Sequence, residues 1–188
     1  MSQGIRSVLF LTLIVALVLL RQIGESFDLY HFQPYIALFF ALAALRKWQW
    51  LAIPLAGYLV STMLSKSGFQ PWMLSILLAF ALVAALGKCF SQKSSVPAFL
   101  GGSLGGAGIF YFVTNAASWL VNEAYAKTFA GFTQALWLGL PGYAPTWSFF
   151  RNDLIATVLF TAIILVLNRM TLGERSELVS AANTAEAA

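Results

Sequence analysis

Two polar series interrupt otherwise apolar runs, and they hold the residues whose types and spacing could do chemistry. Tyr111, Asn115, Ser118 and Asn122 follow one another at intervals of four, three and four, with Trp119 four after Asn115. Those intervals place them on one side of a helix. The second series opens with Arg151-Asn152-Asp153 and continues through Thr157 and Thr161. Such side chains are costly inside a bilayer and mark ligand or ion sites there by default. Asn115 can both donate and accept hydrogen bonds, the indoles of Trp119 and Trp147 offer flat apolar walls, and Arg151 could clamp a carboxylate or phosphate. Arg151 and Asp153, two apart, leave one helix in different directions, so direct pairing between them is disfavoured. With Thr146 the expected substrate-binding set is Asn115, Trp119, Thr146, Trp147, Arg151 and Asp153. The competing reading of the same residues is a structural network of interhelical hydrogen bonds, with Arg151 snorkelling outward.

Other motifs carry less chemistry than their letters suggest. Gly101-Gly102-Ser103-Leu104-Gly105 spells the G-x-S-x-G of a serine hydrolase elbow. A nucleophilic serine needs a base within hydrogen-bond reach, and the single histidine, His31, falls in a different loop at the opposite side of the bilayer. The chain is therefore read as a non-enzyme. The same glycines suit helix packing: Gly101 with Gly105 and Gly102 with Gly106 form overlapping G-x-x-x-G pairs, extended by Gly108, and Ala37 and Ala41 form a similar pair. His31 reads as an interfacial polar residue beside Asp28 and Tyr30, without enough neighbouring ligands for a metal. Cys89, the lone cysteine, can make no internal disulfide. No G-x-x-x-x-G-K-[ST] phosphate loop is present, so any pumping needs a partner or an ion gradient. No cofactor is implied.

The elements that must position these residues follow from composition. The 188 residues are 60% hydrophobic and 10% charged, against roughly 25% charged in soluble domains. Crossing a hydrocarbon core of about 30 Å takes around 20 apolar helical residues. Six stretches come near that length: Gly4 to Leu20, Pro34 to Leu45, Trp50 to Leu64, Pro71 to Gly87, Pro97 to Leu120, and Phe149 to Asn168. The expected fold is an all-α membrane protein of six transmembrane helices in a compact bundle, occupying residues 1–168. Its second and third spans are short and joined by Arg46, Lys47, Trp48 and Gln49 into a tight hairpin. Residues 169–188, small and polar at their end, read as a disordered cytoplasmic tail.

With the N-terminus inside, Arg6, Arg46, Lys47, Lys88, Lys93, Arg169 and Arg175 are cytoplasmic, leaving Arg21, Lys66, Lys127 and Arg151 outside. The bias of seven against four puts both termini in the cytoplasm, and it explains the net charge of +4 without nucleic acid. A cleaved signal peptide is the rival reading of the first span, since Gly24-Glu25-Ser26 loosely fits a cleavage site. The outer connection from Val121 to Ser148 is long, and Tyr125, Phe129, Phe132 and Leu136 recur in it at helical spacing. An amphipathic surface helix is expected there, either as a lid or as an aromatic anchor at the interface.

Three segments carry a resemblance. They are Phe32-Gln33-Pro34-Tyr35-Ile36-Ala37-Leu38-Phe39, Phe110 to Leu120 with its V-T-N-x-x-x-W string, and Ala144 to Leu154 with F-F-R-N-D. They resemble an uncharacterised bacterial family of integral membrane proteins, whose pattern is similar to the substrate-binding S subunits of energy-coupling-factor vitamin transporters. That likeness implies a six-helix capsule holding a small nutrient near the outer surface of the bacterial inner membrane. It also implies a membrane coupling subunit with ATPases as partners. The chain departs from the pattern at Ser61-Thr62, where the family commonly has Ser-Asp, and in span one, which has only Ala16 of an Ala-x-x-x-Ala pair. The reading that follows is a small-molecule-binding subunit of an importer. Its competitor is a membrane scaffold that packs through the glycine-rich fifth helix.

Overall fold

The structure is a computed structural model that describes residues 12, 31–63, 70 and 72–186, with side chains described as far as 169. Among the described residues there are six α-helices, a 3-10 turn and no strand. In chain order the helices are α1 (Tyr35–Leu45), α2 (Ala52–Met63), α3 (Met73–Gly87), α4 (Val96–Val121), α5 (Phe129–Trp137) and α6 (Thr146–Glu186). The 3-10 turn Trp48–Leu51 joins α1 to α2.

The all-helical fold agrees with the sequence, but the expected six spans do not all appear. Only Val96–Val121 and Thr146–Arg169 are long and apolar enough to cross a membrane among the described residues. At about 1.5 Å per residue, α1 with 11 residues, α2 with 12 and α3 with 15 fall short of a 30 Å core. Hydrophobicity alone suggested spans there. Arg46, Lys47 and the 3-10 turn end the first, and Pro54 in the first turn of α2 fits only a helix that starts afresh. The expected first span, Gly4 to Leu20, lies outside the described residues except for Thr12. The helix α6 runs on to Glu186, through the stretch read as a disordered tail.

The shortest of these apolar helices sits at the centre. Ten of the 11 residues of α1 are buried, so its apolar character runs all round rather than along one stripe. The helices α3, α4 and α6 pack around it. Rings fill the joints: Phe39 stacks on Phe80 at 4.5 Å, Phe40 meets Phe99 edge-on at 5.1 Å, and Phe80 stacks on Phe110 at 5.2 Å. The outward faces remain apolar. Leu74, Leu78 and Leu82 stand four apart on α3 and are exposed, as are Ile155, Val158, Leu159 and Val166 on α6. Of the apolar windows in α4 and α6, only 28% and 33% is buried.

Glycine packing is redistributed relative to the sequence expectation. A Cβ on Gly102 would strike the rings of Phe90 and Phe40, and one on Gly106 would lie 3.3 Å from Val83, so these two face the core. Gly105 would make ordinary contact with Leu86 at 3.6 Å, and Gly101 and Gly108 meet nothing within 4 Å among the described residues. The four-residue spacing is shared by both faces of α4, so it could not say which one is packed. The closest backbone approach lies elsewhere. A Cβ on Gly87 would sit 2.5 Å from the Phe40 carbonyl oxygen, at the crossing of α3 with α1, while Ala37 and Ala41 are fully buried within α1. Gly87→Ala is expected to destabilise by about 1–3 kcal/mol through overpacking. Gly101→Ala should gain about 0.5–1 kcal/mol from helix propensity. Equilibrium denaturation in detergent micelles checks both, and equal effects would refute this packing.

Candidate functional site

Because α1 begins only at Tyr35 while α4 continues to Val121, the bundle is unfilled above the start of α1. The gap is a cavity of about 990 Å³. Its floor is aromatic: Tyr58 and Phe80 pack around the Tyr35 ring, Phe80 stacks on Phe110, and Tyr58, Phe80 and Phe110 all line the cavity. Its walls come from the last turns of α4, the first turns of α6, the start of α3 and the segment after α5.

Two local devices hold the α4 wall. Ser95 caps the start of the helix by accepting from the Ala98 amide at 3.4 Å, with Pro97 in the first turn. At the other end the Lys127 ammonium donates to the carbonyls of Trp119 and Asn122, the latter at 2.8 Å, placing a cation where the helix dipole is negative. The Tyr111 hydroxyl donates to the Leu136 carbonyl and so ties α4 to α5, while its ring stacks on Phe150 of α6 at 4.3 Å. The amphipathic helix expected in this connection is present as α5, beginning at Phe129 after the Thr128 cap rather than at Tyr125. Gly131 and Ala135 form its buried side, and Phe129 and Trp137 are exposed. Beyond it the chain turns at Gly139, whose φ of +71° only glycine adopts freely, and a Cβ there would also lie 2.7 Å from the Thr146 hydroxyl.

Asp153 is the most deeply set charged group among the described residues, 2% exposed. Its Oδ2 lies 3.4 Å from His31 Nδ1, and its Oδ1 has no hydrogen-bond partner among the described residues. His31 is held by stacking on Phe149, one turn before Asp153, with ring centroids 4.7 Å apart. It adopts a left-handed backbone with φ of 64°, a conformation uncommon outside glycine that is over-represented at functional sites. Burial pushes the Tyr125 phenol above its usual value, so that hydroxyl keeps its proton at the cavity wall.

Of the six residues expected from sequence, Asn115, Thr146 and Asp153 line the cavity. The other three do not. Trp119 faces the α5 side, donating its indole N–H to the Ala126 carbonyl at 2.9 Å and meeting Phe132 edge-on. Arg151 turns outward, its guanidinium 5.6 Å from the centroid of Trp147, four residues earlier, and bonded to Asn152 Oδ1 at 3.3 Å. Trp147 is thereby engaged outside the cavity. Ser103 is buried within α4 with its hydroxyl donating to the Leu100 carbonyl at 2.8 Å. His31, Phe149 and Trp72 were missed as site residues. Phe149 could have been found as the residue one turn before Asp153, but no spacing rule links His31 to a carboxylate so far along the chain. Among the described residues no group of three or more His, Cys, Asp or Glu could hold a metal.

Among the described residues the protein is all-helical, with two helices long and apolar enough to cross a membrane and a ligand-sized cavity at one end of the bundle. Residues 1–178 match the family of unknown function DUF6580, and the chain belongs to it. No curated protein and no solved structure matches the chain.

The contact between His31 and Asp153 is testable by a double-mutant cycle of His31→Phe, Asp153→Asn and the double variant. Residues in direct polar contact couple by about 0.5–3 kcal/mol. A coupling within error of zero would show the two side chains to be independent.

Proposed function

We propose that the chain is the small-molecule-binding membrane subunit of an importer. The cavity carries this reading. Its volume of about 990 Å³ lies at the upper end of the range for small-molecule sites, about 300–1,000 Å³, and it combines aromatic walls with a few polar groups. A buried carboxylate at its wall is retained at a cost that packing alone does not reward. In the proposed orientation α4 and α6 cross the inner membrane of a bacterium, both termini are cytoplasmic, and the cavity opens to the outside. The basic residues Arg46, Lys47, Lys88 and Lys93 then cluster on the cytoplasmic side. Uptake would depend on a separate energising module, a membrane coupling subunit with ATPases, since the sequence has no phosphate loop of its own. The likeness to the S subunits of energy-coupling-factor transporters rests on the three sequence segments alone.

The second reading is a non-transporting scaffold. What favours it is the open face of α4, where Gly101 and Gly108 meet nothing within 4 Å among the described residues and another helix could approach closely.

Thermal-shift screening of the purified protein against vitamins and their precursors separates the two. A binding subunit gains stability with ligand as RT ln(1 + [L]/Kd). Asn115→Ala should abolish that gain while the unliganded protein melts within a few degrees of the parent. Gly108→Leu should leave it intact. Absence of stabilisation by every compound, together with loss of a co-purifying protein in Gly108→Leu, would favour the scaffold and overturn the importer reading.

A further inference from the structure

The polar groups of the cavity are biased in charge and in hydrogen-bonding sense. Among the described residues its lining includes two carboxylates, Asp153 and Glu123, and no lysine or arginine. Two cations of the neighbouring described segments are engaged elsewhere, Arg151 over Trp147 and Lys127 on the end of α4. Several lining groups also spend their protons on the backbone. Thr114 donates to the Phe110 carbonyl at 2.8 Å, and Ser75 donates to the Trp72 carbonyl at 2.7 Å. Asn115 donates from Nδ2 to the Tyr111 carbonyl at 2.7 Å. A carbonyl can only accept, so this contact fixes the amide with Nδ2 toward the helix and leaves Oδ1 as an acceptor for the cavity. Asp153 adds a carboxylate oxygen, buried and without a hydrogen-bond partner among the described residues.

Aromatic faces complete the environment. Trp72, Phe80, Phe110 and Phe149 line the same space, and the negative faces of such rings attract cations within about 6 Å of the ring centroid. Hydroxyl donors such as Tyr125 also line the space, but an anion entering here would meet two carboxylates with no lysine or arginine among the described lining residues to offset them. A cation would meet a buried counter-ion, acceptor oxygens and aromatic faces.

Resting on the small-molecule-binding reading, we propose that the cavity takes a nitrogenous cation carried on a flat ring, with Asp153 as its counter-ion, and that it rejects carboxylates and phosphates. The ammonium or protonated ring nitrogen donates to Asp153 Oδ1, while His31 holds the other carboxylate oxygen. Asn115 Oδ1 accepts a second N–H, and the ring lies against the aromatic floor.

Three probes of matched size test this on the full chain in detergent micelles at neutral pH: benzylammonium chloride, benzyl alcohol and sodium benzoate. Benzylammonium should raise the melting temperature saturably, benzoate should not, and Asp153→Asn should weaken the benzylammonium effect at least about tenfold, as expected when a charge-assisted bond is lost. Asp153→Glu, which keeps the charge, should keep the preference. If neither variant folds, the order of the three probes on the parent chain decides. Stabilisation by benzoate equal to that by benzylammonium, or an undiminished benzylammonium effect in Asp153→Asn, overturns the charge preference. If benzoate or benzyl alcohol then acts through Asn115, the binding reading survives without it. If no probe and no vitamin stabilises the protein, both readings fall together.

Discussion

Everything in this structure is arranged around a short helix buried on nearly every side. An 11-residue helix with ten buried residues has no face left for solvent or lipid, so α3, α4 and α6 must each bring complementary surfaces to it. Close approach sets the terms. At Gly87 the backbone of α3 comes within a side chain's width of the Phe40 carbonyl, and at Gly102 and Gly106 the absence of a Cβ on α4 leaves room for Phe40, Phe90 and Val83. Where lipid surrounds a bundle and water drives no association, such van der Waals fit is what holds apolar helices together. The phenylalanines then fill what the glycines open.

The cavity is the other consequence of that short helix. Among the described residues, α4 with 26 residues and α6 with 41 extend past the start of α1 at Tyr35, and the cavity lies at that end of the bundle. A purely structural protein would close that volume with large apolar side chains, as the rest of the core does. Here the wall carries Asp153, Asn115 and Thr114, and the chain entering α1 bends through a left-handed His31 to reach the carboxylate. An unsatisfied buried polar atom costs roughly 1–3 kcal/mol, more when charged. The packed core below shows that the bundle has apolar side chains large enough to fill such a space, which makes the polar lining a feature in its own right.

Much of the helical content was legible because apolar runs and their breaks are local. The expected stretches Pro34 to Leu45, Pro71 to Gly87 and Pro97 to Leu120 correspond within two residues at each end to α1, α3 and α4, while α6 begins at Thr146, three residues before the expected Phe149. Span count was less legible, since hydropathy measures how apolar a stretch is and not whether the helix continues through it. Residues 35–45 are as apolar as a span and too short to be one. Three of the six residues expected from the sequence line the cavity. Helical periodicity placed Asn115 and Asp153 correctly relative to their own helices, but the rotation of each helix in the bundle is set by contacts distant in sequence. Trp119, one turn beyond Asn115, drifts off the cavity wall because 3.6 residues per turn carries it round toward α5.

Arg151 shows how far such a rotation can change chemistry. In the sequence it is the cation beside Asp153, and together they suggest a site able to clamp an acid. In the fold two residues are about 200° of helix, so the carboxylate turns into the cavity while the guanidinium goes outward and settles over Trp147, four residues back. The pairing that an i, i+4 spacing allows between Trp147 and Arg151 removes the cation from the site as firmly as a substitution would. The same turn-by-turn geometry that stacks Phe149 and Asp153 on one face brings His31 between them. One helix thus sorts its polar residues by angle, sending one charge to the surface and one to the cavity, and the sign of the site follows from that sorting.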